Sequence, residues 1–144
     1  MSKNTIVVDL DGIICDTTAR NHLLDVDWHT YHDALASDTP YEATVSILQG
    51  LSEIGYEILV VTGRPARYDS QTIAWLTRNK VPVDEVLMRP ENDYRNEVEV
   101  KIDLLAGFFG SLEEAQRNVL VGLETREKVI EGMRNAGFEI WSVR

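Results

Sequence analysis

Cysteine occurs once, at Cys15, so no internal disulfide can staple this chain. No apolar run approaches the roughly 20 residues that span a bilayer. The opening residues, MSKNTIVVDLDG, also lack the pattern of a secretory signal. A reducing, cytoplasmic setting with no membrane partner is therefore expected. Positive charge is scarce as well. Fourteen Lys and Arg stand against 24 Asp and Glu, for a net charge of −10. Such a protein will not coat a nucleic-acid backbone by bulk attraction. Only Lys3 and Arg20 are cationic in residues 1–61, whereas residues 62–101 hold seven of the 14 cations. A pocket for a phosphorylated ligand belongs in that second stretch. Repeats, low-complexity tracts and Gly/Ser linkers are absent, as are a G-x-x-x-x-G-K-[ST] loop and a G-x-S-x-G elbow. His22, His29 and His32 lack the Cys or acid pattern of a zinc site.

What is present suits one domain: 144 residues, of which 44% are hydrophobic, enough for a core without metal or disulfide staples. Five short β-rich runs recur: residues 5–10 (TIVVDL), 56–61 (YEILVV), 84–88 (DEVLM), 118–121 (NVLV) and 138–142 (FEIWS). Continuous Val/Ile/Leu runs of this length suit strands buried on both faces. Helical spacing separates them at residues 41–54, 69–79, 98–109 and 125–136. The alternation predicts an α/β fold with a parallel sheet, right-handed crossovers and a ligand beyond the carboxyl ends of the strands. Residues 17–40, which hold all three His and Trp28, read as a small helical insert.

Chemistry concentrates where those strands end. Asp9-Leu10-Asp11-Gly12 closes the first run. Two carboxylates leaving a buried strand are costly unless something stabilises them, and a divalent cation such as Mg²⁺ would. Asp-Gly is also a common turn dipeptide. Thr62-Gly63-Arg64 closes the second run, where a hydroxyl, a Gly N–H and a guanidinium can grip phosphate oxygens. Arg89, Arg95 and Lys101 follow the third. Glu124 follows the fourth, either as an acid completing a metal site or as an ordinary carboxylate at a helix N-terminus.

This order of D-x-D-G, T-G-R, a helical Lys and an acid after the fourth strand resembles the haloacid dehalogenase superfamily of phosphotransferases over nearly the whole chain. More narrowly it is similar to the 3′-phosphatase module of phage-type polynucleotide kinases. Arg89-x-x-x-Asp93-x-Arg95-x-x-x-x-x-Lys101, Arg20 eleven residues after Asp9, and Trp28-x-x-Tyr31-His32 carry the narrower likeness. The resemblance implies a Rossmann-like five-stranded parallel sheet in the order 5-4-1-2-3, helices on both faces and a minimal cap, in one domain over residues 1–144. It implies Asp9 as nucleophile through an aspartyl-phosphate and Asp11 as general acid and base. Thr62 and Lys101 would hold the phosphoryl group. Mg²⁺ would sit among Asp9, the Asp11 carbonyl and Glu124. Gly63, Arg20, Arg64, Arg89 and Arg95 would bind the rest of the substrate, a phosphorylated nucleic-acid end or a nucleotide. Where the family has Asp-Asp-Arg, this chain has Glu124-Thr125-Arg126. The alternatives are a nucleotide or small-molecule phosphatase, or a phosphate-binding or partner module weakened in metal binding.

Overall fold

The computed structural model describes residues 3–144. Its strands are β1 (Thr5–Val8), β2 (Cys15–Asp16), β3 (Thr39–Pro40), β4 (Glu57–Pro65), β5 (Glu85–Arg89), β6 (Val119–Glu124) and β7 (Ile140–Ser142). Its α-helices are α1 (Trp28–Asp33), α2 (Glu42–Glu53), α3 (Asp69–Arg78), α4 (Glu97–Phe109), α5 (Leu112–Asn118) and α6 (Glu127–Asn135). Five strands form one parallel sheet in the order β5-β4-β1-β6-β7. Without the two-residue strands β2 and β3, this is the expected order read from the opposite edge.

Alternation along the strands builds two cores. Ile6, Val8, Ile58 and Val60 face Val45 and Leu48 of α2 and Trp75 and Leu76 of α3. Val7, Leu59 and Val61 face Leu105 of α4, Ala115 of α5 and Val129, Ile130 and Met133 of α6. Successive side chains of a strand point to opposite faces, so an uninterrupted apolar run is what a sheet covered on both sides requires. No described helix is long and apolar enough to cross a membrane.

Three local features differ from the sequence reading. First, β4 runs past Val61 to Pro65, and its register with β5 jumps between Thr62↔Met88 and Pro65↔Arg89. That irregularity re-aims the Thr62-Gly63-Arg64 segment at the sheet edge, as bulges beside active sites do. Second, α5 was not anticipated. Gly110, at φ +99°, ends α4, and the Ser111 side chain then accepts from the Glu114 N–H at 3.0 Å to start α5. Third, β2 and β3 pair antiparallel at the base of residues 17–38. Those residues carry two 3₁₀ turns and α1, whose first turn is capped by Asp27. Trp75 of α3 donates its indole N–H to the Asp38 carbonyl at 2.9 Å, tying this insertion to the sheet layer.

Leu10, fully buried between the two motif aspartates, anchors the loop after β1 in the core shared with α2 and α3. Leu10→Ala should cost about 2–5 kcal/mol of stability, read from urea unfolding. A wild-type midpoint would show that the loop is held by its charges alone.

Candidate active site

Asp9 lies just beyond β1, buried, its N–H donating to the Leu123 carbonyl at 3.1 Å. Its Oδ1 accepts from the Lys101 ammonium at 2.9 Å, while Oδ2 is buried without a hydrogen-bond partner among the described residues. Lys101 projects from the second turn of α4 and also meets Glu124 Oε2 at 2.7 Å and Glu97 Oε2 at 3.0 Å. Glu97 opens the same helix, one turn before Lys101, next to the capping residue Asn96. Arg126 ion-pairs with the other side of Glu97.

Three carboxylates thus surround one buried ammonium. Burial disfavours the charged form of Lys101, but Asp9, Glu124 and Glu97 outweigh it and push the ammonium's pKa up. Burial raises the Asp9 carboxyl well above the ordinary range. Lys101 opposes that rise, and Glu124 and Glu97 add to it. Glu124 is also buried, yet Lys101 and hydrogen bonds, including one from the Thr125 N–H at 3.1 Å, hold it below its usual value.

Asp11 meets a different environment. Arg20 Nη2 and Arg64 Nη2 reach its Oδ1 at 2.9 and 2.7 Å, and Arg64 Nε reaches Oδ2 at 3.2 Å. Arg20 also forks onto Asp38 at 2.8 and 2.9 Å and donates to the Tyr31 carbonyl at 3.1 Å. Arg64 donates to Thr72 Oγ1 at 3.0 Å. Burial would raise the Asp11 carboxyl, but the two guanidiniums hold it below the usual range. The next residue is constrained too. Gly12 has φ +89°, and a Cβ there would lie 3.0 Å from Thr125 Cγ2.

The expected substrate ligands divide three ways. Thr62 and Gly63 line a cleft of about 390 Å³ with Asp9 and Asp11, a volume in the range of small-ligand sites. Arg89 lines it too. Its Nε donates to the Gly63 carbonyl at 2.9 Å and its Nη1 to the Asp93 and Arg95 carbonyls. Its Nη2 has no hydrogen-bond partner among the described residues. Arg20 and Arg64, in contrast, are buried and committed to Asp11 and Asp38, because two buried acids, one after β1 and one in the insertion, need two cations. They position Asp11 rather than reach the cleft. Arg95 stays out of it, with its side chain 46% exposed and paired with Asp93 and Asp103.

The structure adds one carboxylate, Glu97, to the expected metal-ligand set. Carboxylate oxygens of Asp9, Glu97 and Glu124 lie within 4.8 Å of one another. The Asp11 carboxylate instead belongs to the arginines, leaving its main-chain carbonyl as the expected ligand. A second cluster, Asp11, Cys15 and Asp38, is already neutralised by Arg20 and Arg64. The acids around Asp9 outnumber the cations touching them, and Asp9 Oδ2 lacks a partner. That donor set fits a hard divalent cation.

Sequence reasoning missed Glu97 and the place of His32 at the cleft. Glu97 stands four residues before Lys101, a spacing that places both on one helix face. His32 of α1 lines the cleft, only 4% exposed, and neither ring nitrogen has a hydrogen-bond partner. Its ring packs against Trp28, Tyr31 and Tyr68, with centroids 4.9, 5.0 and 5.3 Å away. Burial lowers its pKa to about 4, helped by Arg20, Arg64 and His29 and opposed by Asp11. Between about pH 6.5 and 4 the unfolded chain therefore binds a proton at His32 that the folded chain does not. Stability carried by the neutral ring should be present above that window and fall as pH drops through it. His32→Phe should flatten the thermal-midpoint profile over the same window, and a profile parallel to wild type would show that His32 does not titrate this way.

The polynucleotide kinase PNKP phosphatase-domain model matches residues 3–144. No curated protein matches the sequence. Among solved structures, a chain of the Pnkp1/Rnl/Hen1 RNA repair complex superposes with a TM-score of 0.83 at 22% identity, covering 99% of this chain. This chain spans 42% of that one. A hydrolase from Streptococcus pneumoniae TIGR4 gives 0.63 at 14% identity, covering 100% of this chain and 94% of that one. The L-2-haloacid dehalogenase from Xanthobacter autotrophicus gives 0.68 at 12%, covering 98% and 77%. At such identities the structural likeness is one of fold. The family model, which spans every described residue, assigns more: the chain belongs to the polynucleotide kinase PNKP phosphatase-domain family and is a phosphatase of the haloacid dehalogenase type.

Proposed function

We propose that this phosphatase removes a 3′-terminal phosphate from a polynucleotide, through an aspartyl-phosphate on Asp9 and with Mg²⁺ as cofactor. The observation that carries the reading is the free Asp9 Oδ2, buried at the cleft floor, with the ammonium of Lys101 fixing the other oxygen. A carboxylate held this way is aimed at one incoming electrophile. Thr62 and the Gly63 N–H stand at the same edge to donate to phosphoryl oxygens, and Arg89 adds a guanidinium nitrogen without a protein partner.

In the first step Asp9 Oδ2 bonds to phosphorus while the bond to the 3′ oxygen breaks, and a proton passes from Asp11 to that oxygen. In the second, water attacks the acyl phosphate, Asp11 takes its proton, and phosphate leaves. The arginine pair favours the ionised Asp11 that the second step needs. Donation in the first step requires one guanidinium bond to give way. Asp9, Glu97 and Glu124 would hold the cation, which supplies charge stabilisation to the phosphoryl oxygens when bound. Lys101 balances the carboxylates and the incoming phosphate. Glu97 bears on the binding-module alternative. It adds a carboxylate where the Glu124-Thr125 pair leaves one fewer than the family pattern, which favours a working metal site.

The test is phosphate release from a 3′-phosphorylated oligonucleotide, with Mg²⁺ or with EDTA. Wild type should release phosphate only with metal, and Asp9→Asn should lose at least about a thousandfold while keeping its fold. Release that survives in Asp9→Asn would remove Asp9 as nucleophile. Glu97→Gln should raise the Mg²⁺ concentration for half-maximal rate about 10–100-fold. A superimposable metal titration would take Glu97 out of the site.

A further inference from the structure

The cleft has a second wall that none of this chemistry uses. One side carries Asp9, Thr62, Gly63 and Arg89, and the other is supplied by the insertion over residues 17–38. There Leu24 is 53% exposed and Trp28 is 38% exposed, although both line the cleft. His32 lies behind them, buried, with both nitrogens unpartnered. A neutral imidazole carries one donor and one acceptor, and buried polar groups of this kind are almost always satisfied. In His32 both roles are without a partner among the described residues. An exposed indole, an exposed leucine and an unsatisfied imidazole on one wall describe a receptor for a flat ring with polar edges.

We propose that Trp28 and His32 form the nucleoside subsite of this phosphatase. Trp28 packs against the base that carries the scissile phosphate, and His32 hydrogen-bonds to the polar edge of that nucleoside. The inference rests on the phosphatase reading above and adds to it the group that selects a nucleic-acid end over other phosphomonoesters. Stacking of a base on one aromatic side chain tolerates any sequence. It also needs no positive surface, which suits a chain of net charge −10. The insertion is held in place for this by the Arg20 fork onto Asp38 and by the Arg20 bond to the Tyr31 carbonyl, one residue before His32.

Initial rates with Mg²⁺ on a 3′-phosphorylated trinucleotide and on glycerol 2-phosphate, which has no base, test the subsite. The proteins are wild type, Trp28→Ala and His32→Phe. Each variant should raise KM for the trinucleotide about 5–50-fold. That loss should exceed its loss on glycerol 2-phosphate at least about fivefold. His32→Phe keeps the ring packing and deletes only the nitrogens, so its thermal midpoint at pH 7.5 should not fall below wild type. A purely structural histidine gives the opposite pattern, a lowered midpoint with equal losses on both substrates, and that result overturns the subsite. Unchanged KM in both variants overturns it as well. Wild type inactive on both substrates sinks the phosphatase reading itself and the subsite with it.

Discussion

Negative charge forced out of water at the carboxyl edge of the sheet is the constraint around which the rest is arranged. Isolated buried carboxylates are too costly to keep ionised, so each must find a cation or take a proton. Asp11 and Asp38 are matched one for one by Arg20 and Arg64, giving a neutral cluster with its hydrogen bonds well used. Asp9, Glu97 and Glu124 are under-matched by Lys101, with Arg126 assisting at Glu97. The neutral cluster fixes Asp11, the proposed acid and base, while the under-matched one leaves spare negative charge around Asp9, the proposed nucleophile.

The two clusters divide the work between residues only two apart in sequence. Asp9 is fixed by one oxygen and left open at the other. Asp11 is gripped at both oxygens, which sets its orientation and its ionisation. Arg20 and Arg64 look like substrate ligands when judged by motif and resemblance. In the folded protein they set the geometry of a neighbour instead, and Arg20 also joins the motif loop to the insertion that walls the cleft.

The parallel sheet was legible because its signal is local. Residues 58–61 are apolar without interruption, and such a run needs cover on both faces. The D-x-D-G at the end of the first strand was legible for the same reason, since two acids there have no bland apolar neighbour to hide behind. Glu97 was not legible. An acid in the first turn of a helix is common for its interaction with the helix dipole, and its approach to Asp9 depends on how α4 docks against β4 and β5. The pairing of Arg20 with Asp38 spans 18 residues through an insertion without clear periodicity. The α5 helix left only a capping signal, Ser111 with Glu114 three residues on, because a seven-residue helix burying one alanine has no apolar stripe to read.

The position of β1 has a consequence for synthesis. It is the central strand, with β4 and β6 as its two neighbours, so Thr5 sits beside Glu57 and Val119. The segment carrying Asp9 is therefore made before either neighbour of its strand and is enclosed only once β6 has been made. Between translation of Asp9 and of Glu124, on the order of ten seconds pass at typical elongation rates. For most of that interval the nascent Asp9 has no Lys101 to pair with. A stalled or truncated product that stops short of β6 would lack one flank of its central strand. The charge cluster around Asp9 is in this sense a late product of translation, withheld until β6 has been made.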